Sequence, residues 1–250
     1  MKNSAFKQLV LANVRILYRD GTAFFWNLTI PVIIYSVLAG FSNKIKIEAF
    51  NYGDFLLPGV VAYVIMQGGI YSLTYWLVDL KSQGVIKRFL VTPLKMRDLI
   101  ASVVAARLLV MFLQIALITL IGVLFFHTPF AGNILSIVLL VGLGGGIFLL
   151  LGLLISAAAG SYQSASPITA AIGLPLTVLG NIFIPLSIFP KPIQAFGNFL
   201  PITYLSNGLR QAYLYPFASG PILKDISVLL IWLIIISVLT LTVLHPKIKK

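Results

Sequence analysis

The chain has 250 residues, of which 59% are hydrophobic and only 10% are charged, and its formal net charge is +12. Ordinary globular domains carry about 25% charged residues, so this composition excludes a soluble enzyme. The absence of cysteine excludes disulfides, zinc–thiolate sites and iron–sulfur clusters. Because the basic residues lie in short segments between apolar runs, the net charge indicates a lipid surface as partner and no nucleic acid.

Six apolar runs along the sequence predict six transmembrane helices. Each run is close to the roughly 20 residues that cross a hydrocarbon core about 30 Å thick. None of the runs has an acidic residue near its middle, so insertion into the bilayer is favourable. We therefore expect an all-α integral membrane protein that forms one domain over residues 1–250, with spans at about 24–41, 55–78, 103–126, 134–156, 167–189 and 226–244.

The lysines and arginines are concentrated before the first span, between the second and third spans, and after the sixth span. By the positive-inside rule these segments face the cytoplasm, which predicts a multi-pass protein of the plasma membrane with both termini cytoplasmic. Arg107 lies just inside the third span. An anchoring role is predicted for it, because its long side chain can reach the membrane interface about one turn away.

Residues 1–23 precede the first span and are too polar to cross the membrane. Their apolar residues recur at helical spacing opposite a basic face. This pattern predicts an amphipathic helix that lies along the cytoplasmic surface and leads into the first span. One face contains Phe6, Leu9, Val10, Asn13 and Leu17, and the opposite face contains Lys7, Gln8, Arg15 and Arg19.

The connection between the fifth and sixth spans, residues 189–224, interleaves prolines with aromatic residues. It is too apolar for a free loop and too interrupted for a full span. The pattern therefore predicts short re-entrant or interfacial helices, which are tolerated at membrane depth where protein or water covers their backbone.

The sequence offers no candidate site for catalysis or for a cofactor. His127 and His245 lie at the ends of apolar runs on opposite sides of the membrane, and the acidic residues lie at or outside the span boundaries. No pair is placed for acid–base catalysis, and no cluster has the spacing of a metal site. No glycine is followed by lysine, which excludes a P-loop. We therefore expect no cofactor in this chain.

The segment 79–94, between the second and third spans, combines apolar and basic residues and is stopped by Pro93. It predicts a short amphipathic helix on the cytoplasmic side, which could dock into a groove of another protein or lie on the lipid surface. Its apolar residues are Leu80, Ile86, Phe89 and Leu90, and its basic residues are Lys81, Lys87 and Arg88.

Three short motifs occur in order between the predicted spans. The first is a Gly-x-x-x-Arg-x-x-x-Thr-Pro-Leu pattern in the segment 79–94, and the second is a Phe-Leu-x-Pro-Gly pattern entering the second span. The third is a proline-to-arginine element between the fifth and sixth spans. The residues that carry them are Gly84, Arg88, Thr92, Pro93 and Leu94, then Pro58 and Gly59, and finally Pro201, Tyr204, Asn207 and Arg210.

These motifs resemble those of the ABC-2 type permeases, the membrane subunits of ATP-binding-cassette exporters, and with the six-span plan the resemblance covers essentially the whole chain. Two departures matter. Gln83 and Lys87 stand where acidic residues are usual in the first motif, which leaves the details of docking open. Asn207 stands where the third motif usually has aspartate, which weakens the expectation of an intramolecular Asp–Arg pair with Arg210.

The resemblance implies that two copies of this chain, or this chain and a homologous permease, form the pore. Separate ATPase subunits would bind ATP and Mg²⁺ and would dock on the second–third loop, which makes the candidate coupling residues Lys81, Gly84, Ile86, Lys87, Arg88, Phe89, Thr92 and Pro93. The second and fifth spans line the pathway in the family, which makes the candidate substrate contacts Gln67, Tyr71, Thr177 and Asn181. Hydrogen bonds between helices are the alternative role for each of these four.

The function implied is ATP-driven efflux of an amphipathic small molecule, antibiotic, peptide or lipid, since weakly polar amides, hydroxyls and aromatic rings suit such solutes. The principal alternative is a secondary transporter driven by protons or sodium. It is less favoured, because the spans place only neutral polar residues near the middle of the membrane. A scaffold or immunity protein that transports nothing is a third possibility.

Overall fold

The computed structural model describes residues 2–19, 21–41, 46–47, 50–85, 96–130, 132–215 and 220–248. Helices dominate this part of the chain, and the only strands in it are β1 (Lys46–Ile47) and β2 (Phe50–Asn51), which pair antiparallel. The helices are α1 (Lys2–Arg19), α2 (Gly21–Phe41), α3 (Tyr52–Gln67), α4 (Leu73–Ser82), α5 (Met96–Phe126), α6 (Ile134–Ala158), α7 (Tyr162–Leu179), α8 (Lys191–Gly197), α9 (Pro201–Leu214) and α10 (Gly220–Ile248).

Four helical stretches in the described residues are long and apolar enough to cross a membrane: Tyr52–Ser82, Asp98–Phe126, Ile134–Ala158 and Pro221–Val243. A fifth is added if α1 and α2, which meet at a bend of 70°, count as one broken span. The chain is therefore a multi-pass membrane protein. The spans predicted at 55–78, 103–126, 134–156 and 226–244 fall within α3–α4, α5, α6 and α10.

The predicted fifth span, 167–189, is wrong in its extent, because α7 ends at Leu179. Gly180 follows the last helical residue, and Asn181 has a φ of 55°, in the left-handed region that an α-helix does not use. The chain then passes through a 3₁₀ turn, Leu186–Ile188, before α8 and α9. Residues after 180 are as apolar as those before, so hydropathy alone gives no sign of this end.

The second span lies at the centre of the fold, and 72% of its most apolar window is buried inside the protein. A π-helical turn, Gly68–Ser72, joins α3 to α4 and packs against α6. The two helices cross closely, because a Cβ on Gly152 would collide with the carbonyl oxygen of Gly69. Thr74 Oγ1 also donates a hydrogen bond to the Gly152 carbonyl, at 3.0 Å. Small residues and one hydroxyl therefore fix this crossing.

Helix α1 packs against α5 through the face that the sequence predicts. Asn13 is buried, and its Nδ2 donates to Ser102 Oγ at 3.1 Å. Lys7, Arg15 and Arg19 on the opposite face are exposed. The structure therefore has a helix here whose less polar face partly contacts protein, and its position along the cytoplasmic surface stays a prediction.

The crossing of the second span and α6 predicts that Gly152→Ala destabilises the protein, whereas Gly142→Ala in the same helix does not. The methyl group at 152 must displace the Gly69 backbone, which costs about 1–3 kcal/mol. At Gly142 nothing lies within 4 Å of the position that a Cβ would occupy, so alanine there adds only helix propensity. The measurement is the melting temperature of each purified variant in the same detergent. Equal melting temperatures for the two variants would contradict the close crossing.

Candidate functional site

A cavity of about 520 Å³ lies between α1, α2, α3–α4 and α5. One of its walls is a row of side chains at four-residue intervals along the second span: Tyr63, Gln67, Tyr71 and Tyr75. The other walls include aromatic and apolar residues together with a few polar groups. The cavity is thus mainly apolar, with polar groups at fixed points, which is the usual make-up of a small-molecule site.

The π turn at Gly68–Ser72 explains why this row stays on one face. Residues four apart in an α-helix are rotated by about 40° from each other, so the row would otherwise wind away from the cavity. A π turn takes more residues for each revolution, which offsets that drift. Tyr71 and Tyr75 therefore line the same cavity as Tyr63 and Gln67. Such single π turns are frequent at functional sites.

The two glutamine side chains of the cavity donate hydrogen bonds to other residues that line it. Gln67 Nε2 donates to the Tyr63 hydroxyl, within the row on the second span. Gln114 Nε2, on α5, donates to the carbonyl of Asn27, on α2, at 3.3 Å. These contacts fix the amide groups in orientation.

Arg107 lies in the cavity wall. The sequence predicts only that it anchors the third span at the membrane interface. Its side chain is only 9% exposed, and its Nη1 donates to Ser72 Oγ in the π turn. The guanidinium carbon lies 5.9 Å from the ring centroid of Trp76. The sequence does carry a signal for it, since Arg107 is the one charged residue within the apolar run 103–126.

Of the four predicted substrate contacts, the structure brings two together in this cavity, Gln67 and Tyr71. Thr177 donates instead to the carbonyl of Gly173 in its own helix, at 2.8 Å. Gly173 in turn lies against the Tyr71 hydroxyl, since a Cβ at that position would collide with it. The cavity wall is therefore in contact with α7, but the Thr177 hydroxyl is directed along that helix.

Asn181 lies in a second cluster, at the end of α7. Its Nδ2 donates to Asn207 Oδ1 at 2.6 Å, and its Oδ1 accepts from the backbone N–H of Leu186 at 3.0 Å. The side chain thus bridges α9 and the 3₁₀ turn. Whether it also contacts a substrate stays a prediction.

Arg210 is the centre of that second cluster and is 9% exposed. Its Nε donates to the carbonyl of Phe55 at 3.0 Å, and its Nη2 donates to the carbonyls of Ile182, at 3.2 Å, and of Asn181. The guanidinium also stacks 3.6 Å from the centre of the Phe55 ring. Asn207 Oδ1 accepts from Nη1 at 3.3 Å, so an amide oxygen stands where the family usually has a carboxylate.

The structure brings the second and third sequence motifs together around Arg210. Pro58 has no N–H, so it donates no helical hydrogen bond to the carbonyl four residues before it in α3. A Cβ on Gly59 would collide with the Ile182 carbonyl, so glycine is needed for the close approach. Pro201 begins α9, and Tyr204 in the same helix is partly buried against the core. The motifs hold α3, the end of α7 and α9 as one unit.

Lys81 and Gly84 are the only predicted coupling residues within the described part of the chain. Lys81 Nζ donates to the carbonyl of Ser156, in the last turn of α6, where a cation is favoured by the helix dipole. Gly84 has a φ of 69° and terminates α4 in the left-handed conformation. The other coupling residues, Ile86, Lys87, Arg88, Phe89, Thr92 and Pro93, lie outside the described residues, so the coupling helix stays a prediction.

No metal site was found among the residues that the structure describes, where no three His, Asp or Glu side chains come together.

Comparison with known proteins finds similarity to membrane transport permeases and ABC transporters. The family model described as ABC-2 type transporter matches residues 4–214. The inner membrane transport permease YadH of Escherichia coli (strain K12) is 26% identical over 208 residues, which cover 83% of this chain and 80% of that protein.

Two further relatives match this chain over less than half of their own length. The probable multidrug ABC transporter permease YbhR of Escherichia coli (strain K12) is 23% identical over 182 residues, 73% of this chain and 47% of YbhR. The ABC transporter G family member 20 of Dictyostelium discoideum is 26% identical over 200 residues, 78% of this chain and 27% of that protein.

The cluster around Arg210 predicts that Arg210→Ala lowers the stability by at least about 3 kcal/mol, because each buried carbonyl left unpaired costs roughly 1–3 kcal/mol. The control is Lys191→Ala on the exposed start of α8, which we expect to leave stability unchanged. Melting temperature in detergent and the yield of monodisperse protein check the prediction. An Arg210→Ala variant as stable as Lys191→Ala would show that the cluster contributes little.

Proposed function

This chain belongs to the ABC-2 type transporter family, and from that premise we propose that it is the permease subunit of an ATP-driven exporter. The observation that carries the proposal is the family match over residues 4–214, on a chain with four or five candidate membrane spans among its described residues. The chain would provide the transmembrane pathway, and the chemistry of ATP hydrolysis would take place on another polypeptide.

The proposed topology has six spans, with α2, α3–α4, α5, α6, α7 and α10 crossing in turn. Helix α7 has 18 residues, which gives it a length of about 27 Å. That is close to the thickness of the hydrocarbon core. Helices α8 and α9 would form the re-entrant segment, and Arg210 on α9 would satisfy backbone carbonyls of Phe55 in α3 and of Ile182 after α7. The distribution of basic residues supports cytoplasmic termini.

Energy would enter through separate ATPase subunits that carry ATP and Mg²⁺ and dock on the segment 79–94. The described start of this segment is continuous with the second span, because α4 runs to Ser82. Lys81 also ties it to the end of α6 through the Ser156 carbonyl. A displacement of the docking segment would therefore act on α4 and α6 together, and so on the crossing that supports the cavity wall.

The pathway would be completed by a second permease, either a copy of this chain or a homologous one. Within this chain, the cavity that holds Gln67 and Tyr71 is the proposed substrate site. Its volume of about 520 Å³ falls in the range for drug-sized ligands. Its aromatic walls and fixed amides suit an amphipathic small molecule, antibiotic, peptide or lipid, and the name of YbhR as a multidrug permease points the same way.

The function is tested by reconstituting the chain in liposomes with an ABC ATPase subunit from the same organism that co-purifies with it. We expect solute movement that needs ATP and is insensitive to an uncoupler. The double variant Arg88→Glu with Phe89→Asp should abolish both co-purification of the ATPase subunit and transport, because it reverses the charge and removes the apolar contact of the docking helix. Arg15→Glu, on the exposed face of α1, is the charge-reversal control and should retain both.

Three results would contradict this assignment. Purified chain that hydrolyses ATP alone would mean that the roles are not divided between polypeptides. A double variant that still binds the ATPase subunit and transports normally would move the docking site elsewhere. Transport that persists without the ATPase subunit and collapses with an uncoupler would favour a proton-driven secondary transporter.

The cavity predicts that Gln67→Leu lowers the catalytic efficiency of ATP-dependent transport by about threefold to tenfold, since a neutral hydrogen bond contributes about 0.5–1.5 kcal/mol. Gln163→Leu is the control, because Gln163 is exposed at the start of α7 and does not line the cavity. Initial rates across a range of substrate concentrations check the prediction. Equal losses in both variants would argue against Gln67 as a substrate contact.

A further inference from the structure

The cavity contains a buried cation for which the proposed pathway gives no role. Arg107 is 9% exposed and lies in the cavity wall, one helical turn inside the apolar run of α5. Its guanidinium donates to Ser72 Oγ and lies 5.9 Å from the ring centroid of Trp76. A buried charge within a membrane span is costly, and such residues commonly serve a functional site.

The guanidinium retains hydrogen-bonding capacity on the side of the cavity. Arginine has five N–H donors, and the Ser72 hydroxyl accepts from one of its nitrogens. In the described part of the chain, no fully buried side-chain nitrogen or oxygen lacks a hydrogen-bond partner. The remaining donors of Arg107 therefore reach accessible space, which here is the cavity.

The charge of Arg107 is not balanced from the cavity wall. Among the described residues that line the cavity there is no aspartate or glutamate, and Arg107 is the only lysine or arginine. Gln67 and Gln114, elsewhere in the cavity wall, are neutral amides. A planar guanidinium binds carboxylate, sulfonate or phosphate oxygens through paired hydrogen bonds. The cavity thus complements a ligand with one anionic group.

The rest of the cavity wall favours a ligand whose remaining part is apolar or aromatic. Trp26, Tyr71 and Trp76 place aromatic rings in the cavity, and such rings pack well against an apolar or aromatic body. Gln114 lies two turns along α5 from Arg107, at a rise of about 10 Å. This length accommodates a fused bicyclic ring next to the anionic group.

We propose that this cavity binds amphipathic organic anions and that Arg107 is the specificity-determining residue that holds the anionic group. The inference rests on the proposed function, because it assigns a substrate class to the same cavity. The anion is carried either by a transported solute or by an anionic phospholipid, and both present the same chemistry to the guanidinium.

The test compares two fluorescent probes that differ only in charge. 1-Anilinonaphthalene-8-sulfonate carries a sulfonate, and N-phenyl-1-naphthylamine is the same ring system without it. Both are titrated into the purified full-length chain in phosphatidylcholine nanodiscs. For Arg107→Gln we expect the Kd of the sulfonate probe to rise by about tenfold or more, with the neutral probe unchanged. Arg107→Lys should lose less, and Arg15→Gln, which removes an exposed arginine, should lose nothing.

Val110→Glu provides a second variant in case Arg107→Gln does not accumulate. Val110 lines the cavity three residues from Arg107, so the new carboxylate would pair with the guanidinium and leave the arginine in place. The same selective loss of the sulfonate probe is expected. The proposal is overturned if the sulfonate probe binds each variant as it binds the wild type, or if both probes weaken equally.

Nanodiscs that also contain phosphatidylglycerol distinguish the two sources of the anion. If the anion is a lipid headgroup, phosphatidylglycerol displaces the sulfonate probe from the wild type but has no comparable effect on Arg107→Gln. If it is a soluble solute, the probe stays bound to the wild type. Since these titrations require neither ATP nor an ATPase subunit, their failure would leave the transport proposal intact, and a failure of transport would leave the binding result intact.

Discussion

A helix that ends in apolar surroundings leaves backbone carbonyls that must find hydrogen-bond donors. Where the chain leaves α7 the same need arises for non-helical backbone, and Arg210 donates there to the carbonyls of Asn181 and Ile182, as well as to the carbonyl of Phe55 at the start of the second span. This one side chain thus joins the segment after α7, the start of the second span and α9. The second and third motifs therefore serve backbone hydrogen bonding around Arg210.

The second constraint is the π turn in the middle of the second span. It keeps one row of tyrosines and a glutamine on the cavity side while the opposite side packs against α6 through Gly69 and Gly152. It also places Ser72 within reach of Arg107. The π turn thus forms part of the cavity wall on one side and the contact with α6 on the other. A displacement of α6 at this contact would therefore alter the cavity wall.

These two constraints give the proposed mechanism a physical route. The docking segment begins where α4 ends, and Lys81 joins it to α6. The π turn is part of the cavity wall, between this end and the Arg210 cluster at the other end of the same span. In the proposed mechanism, a displacement of the segment 79–94 would be transmitted along one continuous, largely buried helix to the helices around Arg210.

The sequence by itself determined the membrane character, the positions of four candidate spans, the two faces of α1 and the family, because hydropathy, helical periodicity and short motifs are local properties of the chain. Tertiary structure decided the end of α7 at Leu179, the burial of Arg107 and the separation of Thr177 from Gln67. Residues 180–189 are as apolar as a span, and an arginine near a span end is equally compatible with an anchoring role. Hydropathy measures the transfer of a segment from water into lipid, whereas these features depend on which partners its polar groups find after folding.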